Sequence, residues 1–217
     1  MTGIKTCIRC AFLAVMALAC TAGSITQNKS TTDATPAMLT LPVAVFLVDA
    51  EGTDDTLSSQ RTLKSMDNHY QQVNRVWQQA SIKFDPVTVK RIKAPRRLLH
   101  GLIHERGRGG IARFYRAIRN GEIDIGIVDS SAVIYNFYVR SLGGPNGLKP
   151  QGVNSIFVVD DPINDGYRVT SHEIGHILGL YHARYDANKL LFSGSNGTVL
   201  TNEEKTVARY FAERLAR

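Results

Sequence analysis

Apolar and polar positions change period several times along this chain, and each change marks an element. Pro42–Ala50 (PVAVFLVDA) is a short apolar run rich in β-formers and reads as a strand. Across Gln60–Ala80, Leu63, Met66, Tyr70, Val73 and Trp77 recur every three or four residues, which places them on one face of a long helix. A strand followed by a helix opens the domain.

Next, Ile82, Phe84, Val87 and Val89 alternate around Pro86, the pattern of a strand that is interrupted or lies at an edge. Ile111–Asn120 reads as a helix stopped by Gly121. Ile123–Asp129, Ala132–Val139 and Asn154–Asp160 read as three further strands, so the sheet is complete before residue 172. Ala132–Val139 is apolar on both faces, which fits either an edge strand covered by an extended substrate or an ordinary internal strand. Between the last two strands, SLGGPNGLKPQG holds four glycines and two prolines in twelve residues, a connecting loop of a length that also suits binding. Thr201 with Glu204 forms a capping box that opens a final helix, Asn202–Leu215, whose Val207, Ala208, Phe211 and Leu215 face the body. No internal repeat of fixed period is present.

With 217 residues, 43% hydrophobic and 21% charged, the chain has the composition of one ordinary globular domain. Its start is different. Lys5 and Arg9 precede the apolar run Ala11–Ala19 (AFLAVMALA), which has the length of a secretory signal rather than of a membrane span. Two processing routes fit ALAC: a small-x-small cut after Ala19, or a lipobox with acylation of Cys20, with Ala17 standing where a lipobox usually has Leu. The expected product is secreted or attached to the cell envelope, and the style of the signal is bacterial. A membrane enters only through a lipid on Cys20. Residues 20–40, rich in Ser, Thr and Ala, read as a flexible leader, with the folded domain, residues 41–217, beginning near Leu41. Cys7 and Cys10 fall in the signal, which leaves the domain without a disulfide and without a thiolate that could cap a metal.

Three of the six histidines lie within HEIGHILGLYH, residues 172 to 182. On a helix over Arg168–Leu178, His172 and His176 project from one face, one turn apart, close enough to share an ion. Gly179 can take the left-handed conformation that ends the helix and lets His182 fold back as a third ligand. Three neutral nitrogens suit one Zn²⁺ and leave an open position for water, the arrangement of a catalytic site. Glu173 stands beside the metal, where it can take a proton from water attacking a polarised carbonyl and pass it to the leaving amine. The implied reaction is peptide-bond hydrolysis. A zinc-binding module of the same fold without hydrolysis is the alternative, although such a module has no chemical need for the Glu173 carboxylate.

His172, Glu173, His176, Gly179 and His182 together resemble the zinc signature of the metzincin clan of metalloendopeptidases. The resemblance implies an α+β domain with a mixed, twisted five-stranded sheet, a long helix, an active-site helix and a C-terminal helix. It also implies a methionine turn below the zinc, but Leu191 holds that methionine's place and no Met follows Met66. Phe192 and Ser193 stand where some members have a tyrosine. Tyr181 and Tyr185 read as core or rim residues. The subfamily stays open.

From residue 20 onward 24 Lys and Arg face 19 Asp and Glu, and eleven of the basic residues fall between Lys83 and Arg119. This segment is either a solvated basic face or a surface for an acidic or anionic partner. Interleaved aromatics for reading bases are missing, so nucleic acid is not expected. His100 and His104 lie there four apart, with no third ligand at usable spacing.

Overall fold

A strand whose side chains are apolar on both faces must lie inside a sheet that is covered twice. Leu39–Ala50 (β1) meets that condition, being almost wholly buried from Leu41 onward. In the structure, a computed structural model that describes residues 36–217 apart from 53–54, 106–107 and 163–164, β1 pairs in parallel with Ile82–Ala94 (β2) on one side and Ile134–Val139 (β3) on the other. Ser155–Val159 (β5) continues the parallel array beyond β3, and Gly147–Leu148 (β4) closes it antiparallel. The five-stranded order is β2-β1-β3-β5-β4. The signal, Cys20 and most of the leader lie outside the described residues, and the described fold belongs to the unit Thr35–Arg217.

Alternate β1 side chains feed two cores. Leu41, Val43, Val45 and Leu47 pack with the helices Leu63–Trp77 (α1), Gly166–Ile177 (α4) and Asn202–Leu215 (α5). Ala44, Phe46 and Val48 pack on the opposite face with Arg96–His104 (α2) and Arg108–Arg119 (α3). The α1 face runs from Met66 through Tyr70, Val73 and Trp77, all buried, whereas Leu63 at its start is exposed. On α5 both capping-box bonds form, and the face that packs is carried by Ala208 and Ala212, with Val207 and Phe211 only partly covered.

Several expectations change. The sheet has five strands, but Ile123–Asp129 is not one of them: Gly126 has φ +57° and its amide bonds the Asp124 carboxylate, a local turn that breaks the pleat and leaves Ile127 exposed. β3 is internal, between β1 and β5, so its two apolar faces are explained by two cores and its edges are already paired. The fifth strand is β4, inside the glycine-rich loop. Among the described residues there are five α-helices: the four read from the pattern appear as α1, α3, α4 and α5, and the unexpected one is α2, which follows Pro95 and buries Leu98, Leu99 and Leu102. Pro86 does lie on an outer strand, beside a bulge: Val43 faces Pro86, Ala44 faces Thr88, and Val87 is passed over.

Behind α4 lies a buried polar cluster. His69 Nε2 is 2.9 Å from Thr170 Oγ1, and Tyr138 Oη is 3.1 Å from both. Burial, with the Arg61 guanidinium nearby, pushes the His69 imidazole down to about 3. Its unfolded value is near 6.5, so the unfolded chain binds the extra proton between these two pH values. The contribution of neutral His69 is therefore intact above pH 6.5 and is lost as the pH falls towards 3, at ~1.4 kcal/mol per unit of displacement. Urea unfolding of the parent and of His69→Gln between pH 7 and 4 should show a steeper acid loss in the parent. Equal slopes would mean that another group controls the acid limb.

Candidate metal centre

Helix α4 ends where the chain has its glycine. Leu180 N–H donates to Gly175 C=O (2.9 Å) and Gly179 N–H to His176 C=O (3.4 Å), with Gly179 at φ +77°, a Schellman turn. A Cβ at position 179 would overlap the Phe211 ring of α5. The turn reverses the chain and brings His182 back over the helix.

His172 and His176, one helical turn apart, therefore meet His182. Its Nε2 lies 3.1 Å from the Nε2 of each, and the three ligand atoms are within 4.8 Å of one another. His172 Nδ1 donates to Leu190 C=O and His176 Nδ1 to Leu180 C=O, both at 2.8 Å. Those bonds fix the tautomers, leaving lone pairs on both Nε2 atoms. A single proton on His182 Nε2 can satisfy only one of them, whereas one cation satisfies all three. Nitrogens at the usual zinc distance in tetrahedral array stand roughly 3.3 Å apart, close to the separations here. Burial pushes His172 down to about 4 and also lowers His176, so both are neutral ligands at pH 7. The site can hold a metal ion.

Glu173 points into the same cleft, about 410 Å³ in volume. It is 8% exposed, and burial pushes its carboxyl up to about 7, opposed by Arg168 and by the Lys149 amide that donates to it. Space for it comes from β4: a Cβ on Gly147 would lie 2.8 Å from both Glu173 Cγ and Val169 Cγ1 and 2.9 Å from Glu173 Oε1. Gly147, Lys149 and Arg168 were not singled out as site residues by the sequence. Only the glycine-rich loop hinted at the first two.

Arg168, 3% exposed, holds the segment beneath the helix. Its Nη2 donates to Leu190 C=O at 2.7 Å and to Phe192 C=O, and its Nε to Gly197 C=O at 3.3 Å. Leu191 is fully buried in the position assigned to the missing methionine, and its two methyls lie 3.2 and 3.3 Å from where a Cβ on Gly175 would be. A branched apolar side chain thus fills the space under the histidines. Ser193 and Gly194 line the cleft. Tyr181 and Tyr185 are 89% and 83% exposed, rim residues rather than core.

His100 and His104 stack at 5.9 Å on α2, and no third ligand joins them among the described residues. The basic segment is partly neutralised within the chain: Arg91 pairs with Asp49, Arg97 with Glu122 and Arg113 with Glu105. Among the described residues no helix is long and apolar enough to cross a membrane.

Among the described residues, fold and site together define a mixed α/β protein with a five-stranded sheet, five α-helices and a three-histidine cluster able to take a metal. The sequence matches no family model and no curated protein. Among solved structures, a chaperone–substrate complex is similar with a TM-score of 0.56 at 13% identity, over 82% of this chain and 35% of that one, so this chain spans about a third of that protein. A zinc-dependent peptidase from Methanocorpusculum labreanum (strain Z) is similar with a TM-score of 0.49 at 10% identity, over 76% of this chain and 99% of that one. The first likeness is one of fold alone.

Gly179→Ala should lower stability by roughly 1–3 kcal/mol and disturb the three-histidine cluster, because the turn loses its left-handed residue and meets Phe211. Adding Phe211→Ala should recover the overlap but not the backbone strain. Denaturation and zinc titration of the two variants measure both parts, and full stability in Gly179→Ala would remove the turn from the account.

Proposed function

We propose that this chain is a zinc-dependent endopeptidase of the metzincin type. The observation that carries the reading is the convergence of three histidine Nε2 atoms in one cleft with the buried Glu173 carboxyl. His172, His176 and His182 would hold the ion. Zinc bound there would supply Lewis acidity, polarising a substrate carbonyl and acidifying a water.

The remaining work falls to the chain. Glu173 takes a proton from the attacking water and returns it to the leaving amine. The Lys149 amide orients its carboxylate, and Gly147 leaves it room. Because the sheet ends at β4, which also lines the cleft, an extended peptide can pair along that strand and be carried past the histidines. This replaces β3 as the substrate strand. The retained Glu173 favours hydrolysis over a binding-only role. The Ala11–Ala19 run extends the proposal to an exported enzyme, with Cys20 as its candidate lipid attachment point.

Metal analysis and peptide cleavage, measured on one preparation of the parent and one of Glu173→Ala, test the reading. About one zinc per chain is expected in both, with cleavage in the parent only. Zinc without cleavage in the parent would leave a binding protein, and no zinc would dissolve the site. Gly147→Ala should keep the zinc and lose roughly 10- to 100-fold in kcat/KM, through displacement of Glu173. Unchanged kinetics would show that the close approach at position 147 does not matter.

A further inference from the structure

On the far side of β4 from the histidines lies a second cavity, about 530 Å³, walled by Ile111, Ala112 and Tyr115 of α3 and by Leu148, Pro150 and Val153. Lys149 and Gln151 are its only polar lining residues. Leu148 and Lys149 line this cavity and the metal cleft alike, so the two hollows flank one strand. Gly147 turns its missing side chain towards Glu173 and Val169 on α4, whereas Leu148 packs with the α3 side of the sheet. Gly147 thus borders the metal cleft alone, whereas Leu148 borders both hollows and packs towards α3.

We infer that the cavity beside α3 is a specificity pocket for a bulky apolar side chain of the peptide substrate. The inference rests on the peptidase reading above. An extended chain paired along β4 directs neighbouring side chains to opposite faces of the sheet. When one residue faces the metal cleft, the next in sequence faces the α3 cavity. The walls select for a large aliphatic or aromatic group, since they are mainly apolar, with Lys149 and Gln151 as the polar side chains among them. Their shape is held from behind: the Tyr115 hydroxyl bonds Ser155 of β5, and its ring packs edge-on against Phe137 and Phe157. Ala112 is exposed at the wall, so a larger residue there fills the hollow without entering the core.

The test uses an all-alanine peptide that is cleaved, and a series in which Leu or Phe is moved singly through the positions on each side of the cleaved bond. In the parent one position should raise kcat/KM by about tenfold or more over alanine, the return expected for burying such a side chain. In Ala112→Trp the ratio of that peptide to the alanine peptide should fall to near one, and in Arg119→Trp, exposed further along α3, it should persist. A ratio that survives in Ala112→Trp, or a parent that cleaves but shows no preferred position, overturns the pocket while leaving the peptidase reading intact. A parent that holds zinc and cleaves no peptide overturns both.

Discussion

Two backbone carbonyls set the geometry on which the candidate site depends. Leu190 C=O accepts a hydrogen bond from His172 Nδ1–H and Leu180 C=O one from His176 Nδ1–H, so the same two bonds choose the tautomers and aim both Nε2 lone pairs at His182. Each carbonyl belongs to a turn that is itself held in place. Leu180 sits in the Schellman turn that requires Gly179, and Leu190 is gripped by the buried guanidinium of Arg168. Arg168 comes from the helix that carries the histidines, so the helix positions its own support.

Burial ties the electrostatics to this geometry. The same desolvation keeps His172 and His176 neutral and lifts Glu173 towards neutrality, the one shift favouring metal ligation and the other proton exchange. Arg168 opposes the Glu173 shift without cancelling it, and its Nε and Nη2 donate to carbonyls of the loop beneath rather than to the carboxylate. Were that guanidinium paired directly with the carboxylate, Glu173 would be a fixed anion. The fold separates the two charges by giving Arg168 neutral partners.

What was legible in the sequence was local. The spacing of His172, His176, Gly179 and His182 specifies a helix, a turn and a return, and the structure brings those imidazoles together by that route. The capping box at Thr201 and the break at Pro86 are likewise short-range signals. Misreadings came where pairing partners decide the outcome. Ile134–Val139 is apolar on both faces whether a substrate or a second core covers it, and only the sheet order tells the two apart. Ile123–Asp129 alternates like a strand, but Gly126 takes a left-handed conformation with its amide bonded to the Asp124 carboxylate, and the alternation does not show this turn. Strand β4 has two residues and no pattern, and it exists only because β5 lies beside it.

The brevity of β4 has a physical reason in the neighbouring helix. Glu173 must reach the cleft while remaining buried, and the strand that covers it can do so only where its backbone has no side chain on that face. Gly147 meets this requirement, but glycine weakens a strand and offers nothing to pack. A strand made this way is held by Leu148 on its other face, which anchors it to the α3 core. Through the aromatic contacts that hold it to β3 and β5, α3 supports from across the sheet a site that it does not touch.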